Sequence, residues 1–160
     1  MHRGRRAAMV AVAAIAALAI AAGCGGGGDG EEALTKAQYV EKSHDVCGRA
    51  IDKRDVLLED AFDLVEKEGF KGITELSKPA QERLVLSIAL PPIQEGIENL
   101  AKLPPPEGDE DTVDAFVEGL EAAVKKTEED PSAVLGSPTP FDKPMREAAK
   151  YGLDRCSELA

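Results

Sequence analysis

Acidic residues dominate this 160-residue chain: 30 Asp and Glu stand against 19 Lys and Arg, which gives a net charge of −11 at pH 7. Nucleic acids and anionic lipid surfaces attract clusters of Lys and Arg, so this charge argues against both as direct partners. There is no Trp, and only four Phe and two Tyr, which leaves little material for aromatic platforms that stack on bases or sugars. The length suits one domain with a single core.

The first thirty residues have the layout of an export signal. A basic lead with Arg3, Arg5 and Arg6 precedes an unbroken apolar run of sixteen residues, Ala7 to Ala22. As a helix this run would span about 24 Å, which is short of the ~30 Å hydrocarbon core of a bilayer. A basic lead, a short apolar run and small residues after it are typical of a secretory signal peptide. We therefore predict a signal peptide over residues 1–23.

The sequence Ala21-Ala22-Gly23-Cys24 resembles the lipobox of bacterial lipoproteins, with Ala21 in the place where Leu is usual. The resemblance implies cleavage between Gly23 and Cys24, a diacylglyceryl group on the Cys24 sulfur and acylation, for example with palmitate, of the new amino terminus. The protein would then be held by lipid at the extracytoplasmic face of the cell membrane. An ordinary secretory signal cut nearby is the alternative, and it would leave Cys24 as an exposed thiol.

After the lipobox cysteine, residues 24–33 are rich in Gly, Asp and Glu. This composition does not bury apolar area and predicts a flexible linker with an average reach of about 15–18 Å. Removal of residues 1–23 would also take away three arginines and bring the net charge to −14. The membrane attachment must therefore come from the acyl chains, at about 0.8 kcal/mol for each buried CH₂ group.

Once Cys24 is assigned to lipid, two cysteines are left, Cys47 and Cys156. An exported protein folds in an oxidising compartment, so we predict a disulfide between them. For a closed loop of about 109 residues, chain entropy predicts a stabilisation of about 4.7 kcal/mol. A redox-active pair is the alternative, but such pairs are usually spaced Cys-x-x-Cys.

The remaining residues, 34–160, predict an all-α four-helix bundle with no sheet. Thr35 and Gln38 form a capping box for a first helix that should end near Lys67, with Gly69 as its left-handed stop. Its apolar stripe is predicted to include Cys47, Leu57, Leu58, Phe62 and Val65.

A second helix is expected from about Lys78 to Leu103. Its apolar positions keep helical spacing across Pro91-Pro92, which favours one kinked helix, with a break into two helices as the alternative. The predicted inner face consists of Leu86, Leu90, Ile93, Ile97 and Leu100.

Two further helices follow. Asp109 or Asp111 is expected to cap the third, which should end at Asp130. Asp142 is expected to cap a short fourth, which Gly152 should end.

Three candidate ligand sites have simpler explanations. His44 and Cys47 share a helix face, but a zinc site needs three or four ligands. His44 and Met145 could together ligate a haem iron, but the chain has few aromatic residues to line a porphyrin and no haem attachment motif. The acidic run Glu107, Asp109, Glu110 and Asp111 lacks the ligand spacing of an EF-hand and suits a helix N-terminus. We predict no metal and no cofactor.

The sequence also lacks the nucleophile elbow, the zinc-protease motif and the phosphate-binding glycine loop, so we do not expect an enzyme. Beyond the lipobox, the chain resembles small helical lipoproteins of high-GC Gram-positive bacteria that contain a cysteine pair. The resemblance rests on Leu34 to Ala37, Val46-Cys47, Leu103 to Pro106 and Tyr151 to Leu153.

Our first hypothesis is a lipid-tethered binding module for an envelope protein or a small ligand, with an unfilled apolar groove expected near Pro91-Pro92. A structural or stress-related envelope lipoprotein without a small ligand is the alternative. An enzyme comes third, since it would require clustered acids with perturbed pKa values in a cleft.

Overall fold

In the computed structural model, which describes residues 33–160, every regular element is a helix. The α-helices are α1 (Lys36–Lys67), α2 (Lys78–Leu84), α3 (Leu90–Ala101), α4 (Glu110–Glu129) and α5 (Asp142–Tyr151). A π-helical turn, Val85–Ala89, joins α2 to α3, and 3₁₀ turns cover Ile73–Glu75, Pro131–Leu135 and Asp154–Glu158. The predicted all-α four-helix bundle is confirmed, and its second helix consists of two α-helical parts, α2 and α3, joined by the π-helical turn. The signal peptide 1–23, with Gly23 and Cys24 at its cleavage site, and linker residues 24–32 lie outside the described residues.

Helix α1 begins and ends as the sequence predicts. The Gln38 backbone N–H donates to the Thr35 hydroxyl and the Gln38 side chain accepts from the Thr35 backbone, which completes the capping box. At the other end Gly69 has φ of +91°. The N–H groups of Gly69 and Phe70 donate to the carbonyls of Glu66 and Val65, the two bonds of a Schellman motif. Both ends depend on contacts within a few residues, which is why the local pattern identifies them.

The second helix continues through Pro91-Pro92, and its irregularity is the π-helical turn directly before them. The Leu90 N–H donates to the Val85 carbonyl, five residues back. A proline has no N–H and its ring clashes with the carbonyl four residues earlier, so a wider turn at this point relieves a conflict that a regular α-helix would keep.

Because of the π turn, the predicted inner face of this helix is wrong at one position. Leu86 was expected to face inward, but it is 39% exposed, whereas its neighbour Val85 is only 4% exposed. The extra residue in the turn rotates the chain before it by about 100° relative to α3. The buried series therefore runs Val85, Leu90, Ile93, Ile97 and Leu100, and its first interval is five residues instead of four.

Contacts at small residues show which helices are neighbours. A Cβ atom at Gly96 of α3 would lie 2.7 Å from the Cβ of Ala50 in α1, so these two helices approach closely there because neither residue has a larger side chain. A Cβ atom at Gly119 of α4 would lie 3.0 Å from Pro144 at the start of α5. At the other end of α5, the Tyr151 hydroxyl reaches Asp109, which precedes α4. Consequently α5 runs back along α4.

The core lies between the first half of α1, α3, α4, α5 and the C-terminal turn. The Sγ atoms of Cys47 and Cys156 are 2.06 Å apart, which confirms the predicted disulfide. Both cysteines are fully buried. The inner face of α4 is also as predicted, since Val113, Phe116 and Leu120 are all buried.

The predicted apolar stripe of α1 is wrong over its second half. All six buried residues of α1 lie between Tyr39 and Ile51. Beyond them Leu57, Leu58 and Val65 are only partly buried, and Phe62 is 42% exposed. Helical spacing places these residues on related faces, but only a neighbouring helix can cover them. Here the second half of α1 extends past most of the bundle.

Two predicted caps have different roles in the structure. Asp109 is at the N-cap position of α4, but its side chain makes no capping bond there and accepts from Tyr151 instead. Asp142 is the first residue of α5 and accepts from the Thr139 hydroxyl at 2.6 Å. The predicted end of α5 is confirmed, because Gly152 has φ of +109° and the Leu153 N–H donates back to Ala148.

Candidate functional site

A largely apolar cavity lies beside the π turn. We call it the inner cavity; its volume is about 340 Å³, within the range of about 300–1,000 Å³ found for small-molecule sites. Its lining comes from α1, α2, the π turn, α3, α4 and segments outside these helices: Arg54, Leu58, Phe62, Ile73, Leu84, Val85, Ala89, Leu90, Ile93, Thr127, Val134, Leu135, Phe141 and Ala160. It therefore lies near Pro91-Pro92, where the sequence predicts an unfilled apolar groove.

The inner cavity exists because of two features of the helices. The π turn directs Val85 inward and leaves Ala89, a small side chain, on the cavity wall. On the opposite side, the second half of α1 contributes Leu58 and Phe62 without a helix packed fully against them. Helices that are not in full contact leave the space between their side chains unfilled, and here the lining of that space is apolar.

The polar side chains of the lining are already bonded to the protein. The Thr127 hydroxyl donates to the Ala123 carbonyl at 2.9 Å. Arg54 Nη1 donates to the carbonyl oxygens of Glu158 and Leu159 at 2.9 and 2.6 Å, while its Nε and Nη2 donate to Asp55. Arg54 thus holds the C-terminal turn against α1. A ligand in the inner cavity would meet mainly carbon atoms, which favours an apolar group without charge.

A second, wider cavity adjoins the inner one, and we call it the outer cavity. Its volume is about 690 Å³. The last turns of α1 and the following loop line it: Phe62, Val65, Glu66, Gly69, Phe70, Lys71, Gly72, Ile73 and Thr74. Phe62 and Ile73 belong to the linings of both cavities, so the two are neighbours across these side chains.

The histidine and cysteine candidates from the sequence have structural roles. His44 Nε2 lies 3.2 Å from the Gly152 carbonyl oxygen, so its N–H donates to the end of α5. Cys47 is used in the disulfide. Met145 is a buried core residue. Within residues 33–160, no three His, Cys, Asp or Glu side chains are placed to hold one metal ion.

The acidic run before α4 is tied to a tyrosine. Asp109 accepts from the Tyr151 hydroxyl at 2.7 Å and lies 3.9 Å from the Lys36 ammonium, which also sits 4.1 Å from the centre of the Tyr151 ring. Burial, and then the hydrogen bond to Asp109, raise the pKa of Tyr151 well above its ordinary value. Glu107, Glu110 and Asp111 are exposed. The arrangement joins the starts of α1 and α4 to the end of α5.

Tyr39 is the other member of this aromatic cluster. Its ring meets that of Tyr151 edge-on, with centroids 6.1 Å apart, a favourable geometry for aromatic pairs. Burial raises the pKa of Tyr39 to about 12. Both phenols therefore stay protonated at neutral pH, which makes them poor general bases. The cluster is part of the core packing.

Among the described helices, none combines the length and the hydropathy needed to cross a bilayer. Compared with known proteins, the chain matches no family model, no curated protein and no solved structure.

Sequence reasoning placed the groove near the prolines but missed the residues that form it. Val85, Thr127, Val134 and Leu135 had no assigned role, and Phe62 was expected in the core. One signal was available: Pro91-Pro92 inside a helix favours a π turn before it, and a π turn shifts the inward position by one residue. Applied to this chain, that rule would have moved the inward position from Leu86 to Val85.

Proposed function

We propose that this protein is an extracytoplasmic binding module, held at the cell membrane by lipid on Cys24, whose inner cavity binds a small apolar ligand. The observation that supports the proposal is the inner cavity itself. It has about 340 Å³ of unfilled space lined mainly by aliphatic and aromatic side chains. A concave, mainly apolar lining around a volume of this size is typical of small-molecule sites.

The side chains that line the inner cavity define the ligand class. Arg54 is its only charged side chain, and this guanidinium is bonded to two backbone carbonyls and to Asp55. A ligand head group with a charge would lose its hydration there without gaining a partner. The inner cavity is therefore suited to a hydrocarbon or aromatic group.

A neutral fluorescent probe tests this function directly. The mature domain, residues 34–160, should bind N-phenyl-1-naphthylamine at one site, with a dissociation constant of about 10 µM or tighter. Leu135→Asp should weaken this binding at least about tenfold, because the substitution places a carboxylate at the cavity wall. Leu135 is 44% exposed, so the variant should still fold, which circular dichroism would check.

Leu64→Asp is the matched control. Leu64 is 63% exposed and does not line either cavity, so the same change of chemistry there should leave probe binding within about twofold. If the wild type does not bind the probe, or if both variants weaken it equally, the binding function is wrong. A structural envelope lipoprotein without a small ligand would then be the better description.

The lipid anchor has its own test, the intact mass of the membrane-extracted protein. We expect a mature chain that begins at Cys24 and is heavier than its sequence by acyl groups. A soluble species without this added mass would contradict the anchor and leave the cavity argument unaffected.

A further inference from the structure

The two cavities adjoin each other and differ in polarity. Phe62 and Ile73 separate them and line both. The inner cavity is apolar, whereas the wall of the outer one includes Glu66, Lys71 and Thr74. A ligand that reaches from one cavity into the other would pass from a carbon lining to a polar one. This is the polarity profile of a chain with a polar head.

The outer cavity offers one group of each charge. Glu66 lies in the last turn of α1 and Lys71 in the loop that follows. Within residues 33–160, neither side chain belongs to an ion pair, so both charges are available to a ligand. The Lys71 backbone N–H donates to Glu75 at 2.8 Å, which fixes the loop where the Lys71 side chain begins.

From these observations we propose that the two cavities together bind one single-chain amphiphile with a zwitterionic head. Its hydrocarbon tail lies in the inner cavity, past Phe62 and Ile73. Its head lies in the outer cavity, with the anionic group toward Lys71 and the cationic group toward Glu66. This inference rests on the proposed function, since it names the ligand class for the same inner cavity.

The strong negative charge of the whole chain supports the choice of head. At a net charge of −11, the surrounding potential opposes a purely anionic amphiphile. A purely cationic head would leave Lys71 without an anionic partner. A head with both charges satisfies both side chains, whereas an uncharged head satisfies neither.

Tail length is tested with alkylphosphocholines, measured by isothermal titration calorimetry below their micelle concentrations. Each added methylene should raise the affinity about fourfold until the inner cavity is full, since a buried CH₂ contributes about 0.8 kcal/mol. In Leu135→Asp this dependence should be lost. Affinity that does not change with tail length would overturn the assignment of the tail to the inner cavity.

Head selection is tested at one tail length with a phosphocholine, an uncharged maltoside and an anionic sulfate. The phosphocholine should bind about two- to fivefold more tightly than the maltoside, the size expected for exposed ion pairs, and the sulfate should bind most weakly. Lys71→Glu should abolish the preference over the maltoside. Lys67→Glu, with the same charge change at an exposed residue outside both cavities, should retain it.

The outcomes separate this inference from the function on which it rests. If the neutral probe binds and responds to Leu135→Asp, but the three heads bind equally or Lys67→Glu acts as Lys71→Glu does, the head assignment is wrong and the binding function stands. If the neutral probe does not bind, both are wrong.

Discussion

The two ends of this bundle differ in how completely they are packed. The disulfide end, formed by the first half of α1, α5 and the C-terminal turn, buries Tyr39, Cys47 and Cys156 completely. The groove end, formed by residues 52–67, the following loop, α2 and the π turn, contains both cavities and leaves Phe62 and Phe70 partly exposed. Stability is therefore concentrated at one end, and the space for a ligand lies at the other.

Helix lengths explain this difference. Helix α1 has 32 residues and α4 has 20, so at about 1.5 Å per residue α1 is longer by about 18 Å. Beside the additional length lie the π turn and the loop that follows α1. Five residues of the inner cavity are also buried in the core: Val85, Leu90, Ile93, Thr127 and Phe141. The other lining residues, such as Leu58 and Phe62, can change with less effect on the core.

Of the variants that test this difference between the two ends, the one without the disulfide should lose the most stability. The Cys47→Ser/Cys156→Ser variant should lose about 2–5 kcal/mol of unfolding free energy, since the crosslink closes a loop of 109 residues. Urea denaturation measures the loss. As a control, reductant should change the stability of the wild type but not that of the variant. A loss below about 1 kcal/mol would show that the disulfide end does not depend on its crosslink.

Truncation of one side chain at each end compares the two directly. Leu100 is 0% exposed, and Leu100→Ala should cost about 3 kcal/mol because it leaves a cavity in the core. Phe62→Ala removes a larger side chain from the groove end but should cost less than about 1 kcal/mol, because Phe62 is 42% exposed. Thermal and urea unfolding measure both variants. Equal losses would mean that the groove end is as tightly packed as the core.

Substitution of two helical glycines by alanine should change the free energy of unfolding by only about 1 kcal/mol, but in opposite directions. Gly96→Ala should destabilise by about 1 kcal/mol, because the new methyl group meets Ala50 and the cost of overpacking exceeds the gain in helix propensity. Gly48→Ala in α1 has only an ordinary contact at 3.8 Å, to Arg155, and should stabilise by up to about 1 kcal/mol. The same sign for both variants would contradict the close approach of α1 and α3.

Features that depend on a few neighbouring residues were predictable from the sequence. The capping box of Thr35 and Gln38 and the stops at Gly69 and Gly152 appear as expected. Their hydrogen bonds join residues three to five positions apart, so the chain itself brings the partners together. The Cys47–Cys156 pair was predictable for another reason: once Cys24 is assigned to lipid, only one pairing is left.

Burial was less predictable than helix position. Spacing placed Leu86 and Phe62 on inner faces, but the π turn and the length of α1 left both partly exposed. The role of Asp109 also changed, because its position before α4 predicts a cap, whereas the tertiary structure places Tyr151 within 2.7 Å of its carboxylate. Tyr151 comes close enough to donate to Asp109 only when α5 packs against α4, so the hydrogen bond that replaces the cap does not follow from the local sequence.

The sequence by itself predicted the helices, most of their ends and the disulfide. The helix ends follow from local hydrogen bonding, and the pairing of Cys47 with Cys156 follows from the prediction that Cys24 carries lipid. Only the tertiary structure decided which apolar residues form the core and which line a cavity. That decision depends on the relative lengths of α1 and its neighbours and on the one-residue shift at the π turn, and both act between segments that are far apart in the chain.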